Sequence, residues 1–155
     1  MDARWATKNK EVHYGYKDHV KIDKKSKIIT KYSTTSAEVH DSQELENLIE
    51  EGKDKRIYGD SAYTGEEVQL CIPETVLNRI HEKGYRNRPL TKSQERENKA
   101  KSHIRVRVEH VFARMNHFGG IFIRTIGKTR AEFQIGLLNL TYNMTRYVYI
   151  VGLTG

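Results

Sequence analysis

Two carboxylates stand where they could do chemistry. Asp60 follows the run Arg56-Ile57-Tyr58-Gly59, at the end of a predicted strand, and ligands of α/β sheets bind outside the carboxyl ends of strands. Glu109 falls in a long predicted helix, four residues after Arg105, so the two side chains share a face. Its neighbours Val108, Val111 and Phe112 are apolar. That places Glu109 near the edge of a buried stripe, where an unpartnered carboxylate is costly. Two readings follow. In the first, Glu109 pairs with Arg105 and Asp60 caps a turn. In the second, both hold divalent metal. Hard oxygen ligands suit Mg²⁺ or Mn²⁺, and two such ions roughly 4 Å apart activate a water and stabilise the leaving oxygen of a phosphodiester. Sites of that kind use three carboxylates, and two are a shortfall.

The charge around Glu109 points to a polyanion. Lys plus Arg number 27 against 20 Asp plus Glu, a net of +7 over 155 residues. From Arg79 to Arg130 there are 14 Lys/Arg and 4 Asp/Glu, a net of 14 − 4 = +10, so the rest of the chain nets 7 − 10 = −3. Tyr85, Val106, Val108 and Phe112 interrupt this block, as expected of a folded basic surface rather than a charged tail, and such a surface is a candidate phosphate-backbone site. A solvated helix face would give the same charge.

These residues need elements to position them. Tyr14, Tyr16, Val20 and Ile22 alternate as in a strand, and KKSK (24–27) reads as a turn into the β-branched run IITKYSTT (28–35). Together they predict a β-hairpin. Asp41 and Glu44 resemble a capping box; Leu45, Leu48 and Ile49 supply an apolar stripe, and Gly52 ends that helix. RIYGDSAY (56–63) predicts a strand running into a turn, 66–70 a short helix closed by Pro73, TVLNRI (75–80) a strand and GYRNRPL (84–90) a loop. Thr91 and Gln94 form a capping box before a helix to about Phe118, with Ile104, Val108, Val111, Phe112 and Met115 buried. Adjacent glycines at 119 and 120 break it. A last helix from about Arg130 to Val148 is expected to bury Phe133, Leu137, Leu140, Met144 and Val148. The order β-β-α-β-α-β-α-α predicts an α/β domain with a mixed sheet. No apolar run approaches the ~18 residues of a membrane span. MDARWATKNK has no apolar signal core, and the single Cys71 excludes a disulfide framework or cysteine zinc cluster within the chain. A soluble domain in a reducing compartment is expected.

The segments YGYKDHVKID, TTSAEVHDSQEL, YGDSAYTG, RNRPLT, RVRVEHVFARM and LLNLTYNMTR, in this order, resemble bacterial insertion-sequence transposases of the DDE class, in the broad insertion sequence 4 and 5 group. The resemblance spans nearly the whole chain. It implies an RNase H-like mixed sheet flanked by helices, and a metal-dependent cleavage and strand transfer of DNA with Mg²⁺ (or Mn²⁺). Asp60 matches the family's second catalytic Asp and Glu109 its catalytic Glu, which makes both expected metal ligands. The family signature is Tyr, two residues, Arg, three residues, Glu, six residues, Lys. Arg105 and Glu109 fit it, while Ser102 replaces the Tyr and Asn116 the Lys. The Arg and Lys positions are implied to touch the DNA end, so Arg105 and Asn116 join Arg107, Arg114, Arg124, Lys128 and Arg130 as candidate DNA contacts. His40 and Asp41 match a family His-Asp pair, although a helix N-cap is the favoured role for Asp41.

The family's first catalytic Asp lies on a strand upstream of the segment matching DARW. The resemblance therefore implies that residues 1–155 are a catalytic domain lacking its first, central strand, with neither Asp2 nor Asp23 as a replacement. Neighbouring strand edges would then lack partners, and marginal stability or association is expected of this chain alone. The implied partners are terminal inverted repeats and target DNA, with an upstream transposase fragment or a second copy of the chain, and no membrane. The implied location is the bacterial cytoplasm, at the nucleoid. A non-catalytic DNA-binding remnant, or a metal-independent scaffold with a protein partner, is the alternative.

Overall fold

The alternating run does form a strand, and the turn after it is built by one carboxylate. In the computed structural model, which describes residues 3–8, 11–119, 123 and 125–152, β1 (Arg4–Lys8), β2 (Glu11–Ile22) and β3 (Ile29–Ser36) form an antiparallel sheet in chain order. Val20 lies opposite Tyr32, and Trp5 opposite Tyr14. Between β2 and β3, Asp23 Oδ2 accepts from the backbone N–H of Lys25 and Ser26 (2.9 and 2.6 Å) and from Ser26 Oγ (2.8 Å). These bonds, the one from the Ser26 backbone first, hold the Asp23 carboxyl below its usual range. Lys27 completes the turn at φ 59. The expected order lacked β1.

The sheet belongs to the first of two compact units, made of residues 1–40 and 108–155. Its helical parts are the end of α3 (Lys92–His117) and α4 (Lys128–Gly152). Ile29, Val111, Met115 and Tyr142 form the buried core, with Val20, Ile22, Phe118 and Leu138 packed against it. Polar side chains of α4 fix its rotation. Asn143 accepts from the Ile29 N–H and donates to the Ile29 carbonyl, both at 2.8 Å. Tyr142 donates to Lys27 O (3.0 Å) and Arg146 to Ser26 O (2.7 Å). Gly136 permits the close approach, since a Cβ there would stand 2.6 Å from the Tyr32 hydroxyl.

This anchoring reverses the expected faces of α4. Ala131, Ile135, Asn139 and Tyr142 are buried, while Phe133, Leu137, Leu140, Met144 and Val148 are exposed. The apolar period marked the larger side chains, but the bonds to the hairpin backbone set which face meets the sheet. On α3, Val111 and Met115 are buried as expected, and Phe112 is exposed.

The second unit comprises residues 41–107. Asp41–Glu44 is a 3-10 turn leading into α1 (Leu45–Leu48), whose N-cap has no side-chain bond. Gly52 lies beyond the helix end, in a turn at φ 80. A two-residue β4 (Arg56–Ile57) pairs in parallel with β5 (Leu77–Asn78). Flanking bonds Leu77 N–H to Lys55 O, Arg79 N–H to Ile57 O and His81 N–H to Gly59 O extend that pairing. α2 (Glu66–Leu70) lies between them in sequence. Leu45, Ile49 and Ile80 form the core, with Ile57, Tyr63, Val68 and Ile72 against it.

The α/β content agrees with expectation. The strands fall into two sheets, one antiparallel and one parallel, among the described residues. No helix among the described residues is long and apolar enough to cross a membrane.

Candidate functional site

The second unit places Asp60 just beyond β4, where the chain leaves its pairing with β5. Asp60 is extended (φ −83, ψ 178) and caps the 3-10 turn Ser61–Tyr63, its Oδ1 accepting from the Ala62 N–H at 2.8 Å. Gly59 keeps the approach open, because a Cβ there would sit 3.2 Å from the Tyr63 ring and 3.4 Å from Ile80. The other carboxylate oxygen, Oδ2, lies 3.8 Å from Arg105 Nη1, with the Asp60 and Arg105 side chains 44% and 38% exposed. The turn-cap reading of Asp60 is thus realised, and the remaining oxygen faces a guanidinium at a half-open site. The Tyr63 hydroxyl is pushed up to about 12, mainly by burial and then by the charges of Asp41 and Asp60.

The start of α3 is held to the strand end by polar contacts. Thr91 and Gln94 make the expected capping box: Gln94 N–H donates to Thr91 Oγ1 (3.3 Å) and Thr91 N–H to Gln94 Oε1 (2.9 Å). Asn98 accepts from the Glu82 N–H (3.0 Å) and donates to the Glu82 carbonyl (2.9 Å). Lys101 donates to Ile80 O at 3.0 Å, and Ser102 Oγ lies 3.4 Å from His81 Nε2. These contacts present Arg105, one turn further on, to Asp60.

His81 is the residue that sequence reasoning missed. Burial, then the charges of Arg105 and Lys101, lower its pKa, which favours a neutral ring at pH 7 able to accept or donate one hydrogen bond. Its signal was available: His81 follows Ile80 at the end of a strand, as Asp60 follows β4, and Ser102 stands at the Tyr position of the signature. A cleft of about 480 Å³ opens beside it, lined by Asn78, His81, Lys83, Tyr85, Arg88 and Lys101 among others. Lys83 Nζ stands 5.8 Å from the centre of the exposed Tyr85 ring. Cations beside an aromatic face suit a phosphodiester and a base.

Arg107 is half-buried in the same unit. The other candidates belong to the first unit. Glu109 is exposed on α3. Arg114 is exposed, 5.4 Å from the Phe118 ring centre, and Asn116 is exposed at the penultimate position of α3. On α4, Lys128 lies 3.4 Å from Glu132 Oε1, and Arg130 is exposed. Arg124 lies outside the described residues. The structure therefore brings Asp60 and Arg105 together within one unit and places Glu109 in the other.

The carboxylate oxygens of Asp60 are hard donors at an accessible position and suit a divalent cation. Among the described residues, however, no group of three or more His, Cys, Asp or Glu side chains could hold a metal ion. These residues on their own do not complete a metal centre.

The family model described as "Transposase DDE domain" matches residues 1–144. The transposase for insertion sequence element IS1106 of Neisseria meningitidis serogroup B is 34% identical over 117 residues, which cover 74% of this chain and 40% of that relative. The match thus spans less than half the length of that relative. No solved structure matches the chain.

Proposed function

The chain belongs to the DDE transposase family, and from that premise we propose that it contributes to DNA transposition by cleaving and joining strands at the ends of an insertion sequence. The observation that carries this reading is the Asp60–Arg105 pair. Asp60 and Arg105, which the resemblance matches to the family's second acid and signature arginine, lie far apart in sequence, and their side chains stand 3.8 Å apart.

In this reading the fold is RNase H-like, supported by the α/β elements, the hairpin and the acid beyond β4. Asp60 and Glu109 supply two carboxylates toward Mg²⁺ or Mn²⁺, and the rest of the ligand set comes from outside the described residues. A divalent ion, when bound, neutralises phosphodiester charge and activates water. The chain's own residues position and exclude. Arg105 balances the Asp60 carboxylate, and its partly exposed guanidinium is placed to meet a phosphate. Asn98, Lys101 and Ser102 keep it in place. Arg107, Arg114, Asn116, Arg124, Lys128 and Arg130 contact the DNA backbone at the element's terminal inverted repeat and at the target. Each phosphate neutralised releases counterions, so binding weakens as salt rises.

The test is nicking of a labelled duplex carrying the terminal inverted repeat, with and without Mg²⁺ or Mn²⁺. An upstream transposase segment is supplied in a parallel reaction. Metal-dependent nicking that Asp60→Ala abolishes is expected. Salt-sensitive DNA binding with no nicking in either reaction would overturn catalysis and leave a DNA-binding role. Calorimetric titration of Mn²⁺ gives a readout apart from activity, and Asp60→Ala should weaken it.

A further inference from the structure

Three side chains of the first unit meet under α4, and each has an oxygen left over. Asp18 of β2 and Thr34 of β3 are directly opposite in the register, so both stand on one face of the hairpin, with Cβ atoms about 4.5–5.5 Å apart. Asn139 of α4 lies over the same face, its Nδ2 donating to Asp18 Oδ1 at 3.2 Å. Two residues back along β3, Tyr32 meets α4 at Gly136, where a Cβ would stand 2.6 Å from its hydroxyl, so the helix sits close on this face. Asp18 Oδ2, Thr34 Oγ1 and Asn139 Oδ1 are buried and make no hydrogen bond among the described residues. Asn139 and Thr34 are only 2% and 8% exposed. Buried polar atoms without a partner are rare, and three at one place call for a common cause. Hydrogen bonds among the three do not supply it. A carboxylate and an amide oxygen only accept, and the Thr34 hydroxyl has a single proton to give. Burial first, then the Asn139 bond, set how tightly the Asp18 carboxyl holds its proton, and no cationic side chain among the described residues contributes. Lys17, next to it in the chain, turns to Val39 O and donates there at 2.7 Å.

We propose that the leftover oxygens of Asp18, Thr34 and Asn139 bind one monovalent alkali cation, Na⁺ or K⁺, which ties α4 to the hairpin. The donor set is all oxygen, and carboxylate and carbonyl oxygens suit hard cations. One carboxylate with two neutral oxygens carries a single negative charge, and a monovalent ion cancels it. A divalent ion leaves a net charge in a buried place, which is costly, and Mg²⁺ also gives up its waters reluctantly. The alkali ion takes the place of the proton that burial keeps on the Asp18 carboxyl up to about 6. Asp60 and Glu109 supply no ligand here, so this site and the proposed catalysis can fail separately.

Melts of the full chain followed by circular dichroism at about pH 8, where the Asp18 carboxyl is ionised, test it. Sodium, potassium and choline chloride are compared at about 200 mM each, so that screening is equal. An ion at about ten times its dissociation constant raises the midpoint by about 3–6 °C in a chain of this length. That gain over choline is expected in sodium, in potassium or in both, and whichever shows it names the ion. Asp18→Asn should abolish the gain. Thr34→Val keeps the shape and removes one oxygen, so the salt concentration for half the gain should rise roughly 10-fold, the worth of one contact to a charge. That variant also carries the test should Asp18→Asn fold poorly. Equal midpoints in all three salts would overturn the proposal and leave a proton or a bridging water as the ligand. So would a gain that survives both substitutions, or a larger gain from MgCl₂ at equal ionic strength.

Discussion

Both units use the same device, an asparagine amide that clasps one residue's backbone N–H and C=O, and they use it at different depths. In the first unit Asn143 clasps Ile29, a core residue at the start of β3. In the second Asn98 clasps Glu82, in a half-exposed loop after β5. The first closes a hydrophobic core and leaves an apolar helix face outside. The second steadies the start of α3 and leaves charge outside, with Asp60 and Arg105 each more than a third exposed. The same hydrogen bonds serve packing in one place and the presentation of polar chemistry in the other. The difference is how readily water can take the amide's place.

That comparison breaks first at Asn143. Removing a side chain that satisfies the backbone N–H and C=O of the buried residue Ile29, through part-buried bonds, costs the bonds and leaves both groups to be satisfied, and each unsatisfied group costs ~1–3 kcal/mol. Asn143→Ala should therefore lower stability by about 3 kcal/mol in urea unfolding followed by circular dichroism. A loss below about 1 kcal/mol would mean that the rotation of α4 is set by apolar packing, not by the clasp.

Asp18 sharpens the same contrast from the opposite side, as a polar group in the first unit that is poorly matched. Burial pushes its carboxyl up to about 6, a shift that the hydrogen bond from Asn139 (3.2 Å) only partly opposes. Asp18 Oδ2, Thr34 Oγ1 and Asn139 Oδ1 are buried and make no hydrogen bond among the described residues. The folded chain holds this proton up to about pH 6, whereas the unfolded chain releases it near 3.8. The contribution to stability is therefore full below about 3.8 and lost as pH rises through about 6. With partial exposure discounted, the change is about 2 kcal/mol. Melts from pH 4 to 8 should show a midpoint falling across that window, on top of other titrations. Asp18→Asn, neutral throughout, should remove that component and be the more stable protein at pH 8. Equal slopes in the two proteins would sink this account.

How much of this was legible depended on whether the signal was local. The hairpin could be read because alternation and the turn residues Asp23 to Lys27 lie within one short stretch. Asp60 could be placed beyond a strand for the same reason, and its turn-capping role was foreseen. Its position beside Arg105 could not be derived from spacing, because a contact between distant residues leaves no period. The rotation of α4 was misread for a related cause. Phe133, Leu137, Leu140, Met144 and Val148 dominate any apolar pattern, while the anchors Asn143 and Arg146 are polar and act on backbone atoms of Ser26 and Ile29. His81 had a local signal in its place at a strand end, but the setting of its ring comes from Ser102, Lys101 and Arg105, which lie about twenty residues or more along the chain.

The two smallest effects complete the comparison within the second unit. Asn98→Ala should cost about 1 kcal/mol, near the net worth of a solvent-accessible hydrogen-bond pair, because water can reach the Glu82 backbone when the amide is gone. A cost equal to that of Asn143→Ala would erase the distinction between the two clasps. Thr91→Ala should cost least, ~0.5–1 kcal/mol as for exposed N-caps. Gln94 still accepts from the residue-91 backbone N–H after the change, so half of the reciprocal box survives. Hydrogen exchange should then speed up at the amide of Gln94, which loses its acceptor, and leave the buried segment around Val111 and Met115 unchanged. Faster exchange at Val111 would show that the cap is coupled along α3 to the first unit, and the two ends of that helix would no longer be separable in energy.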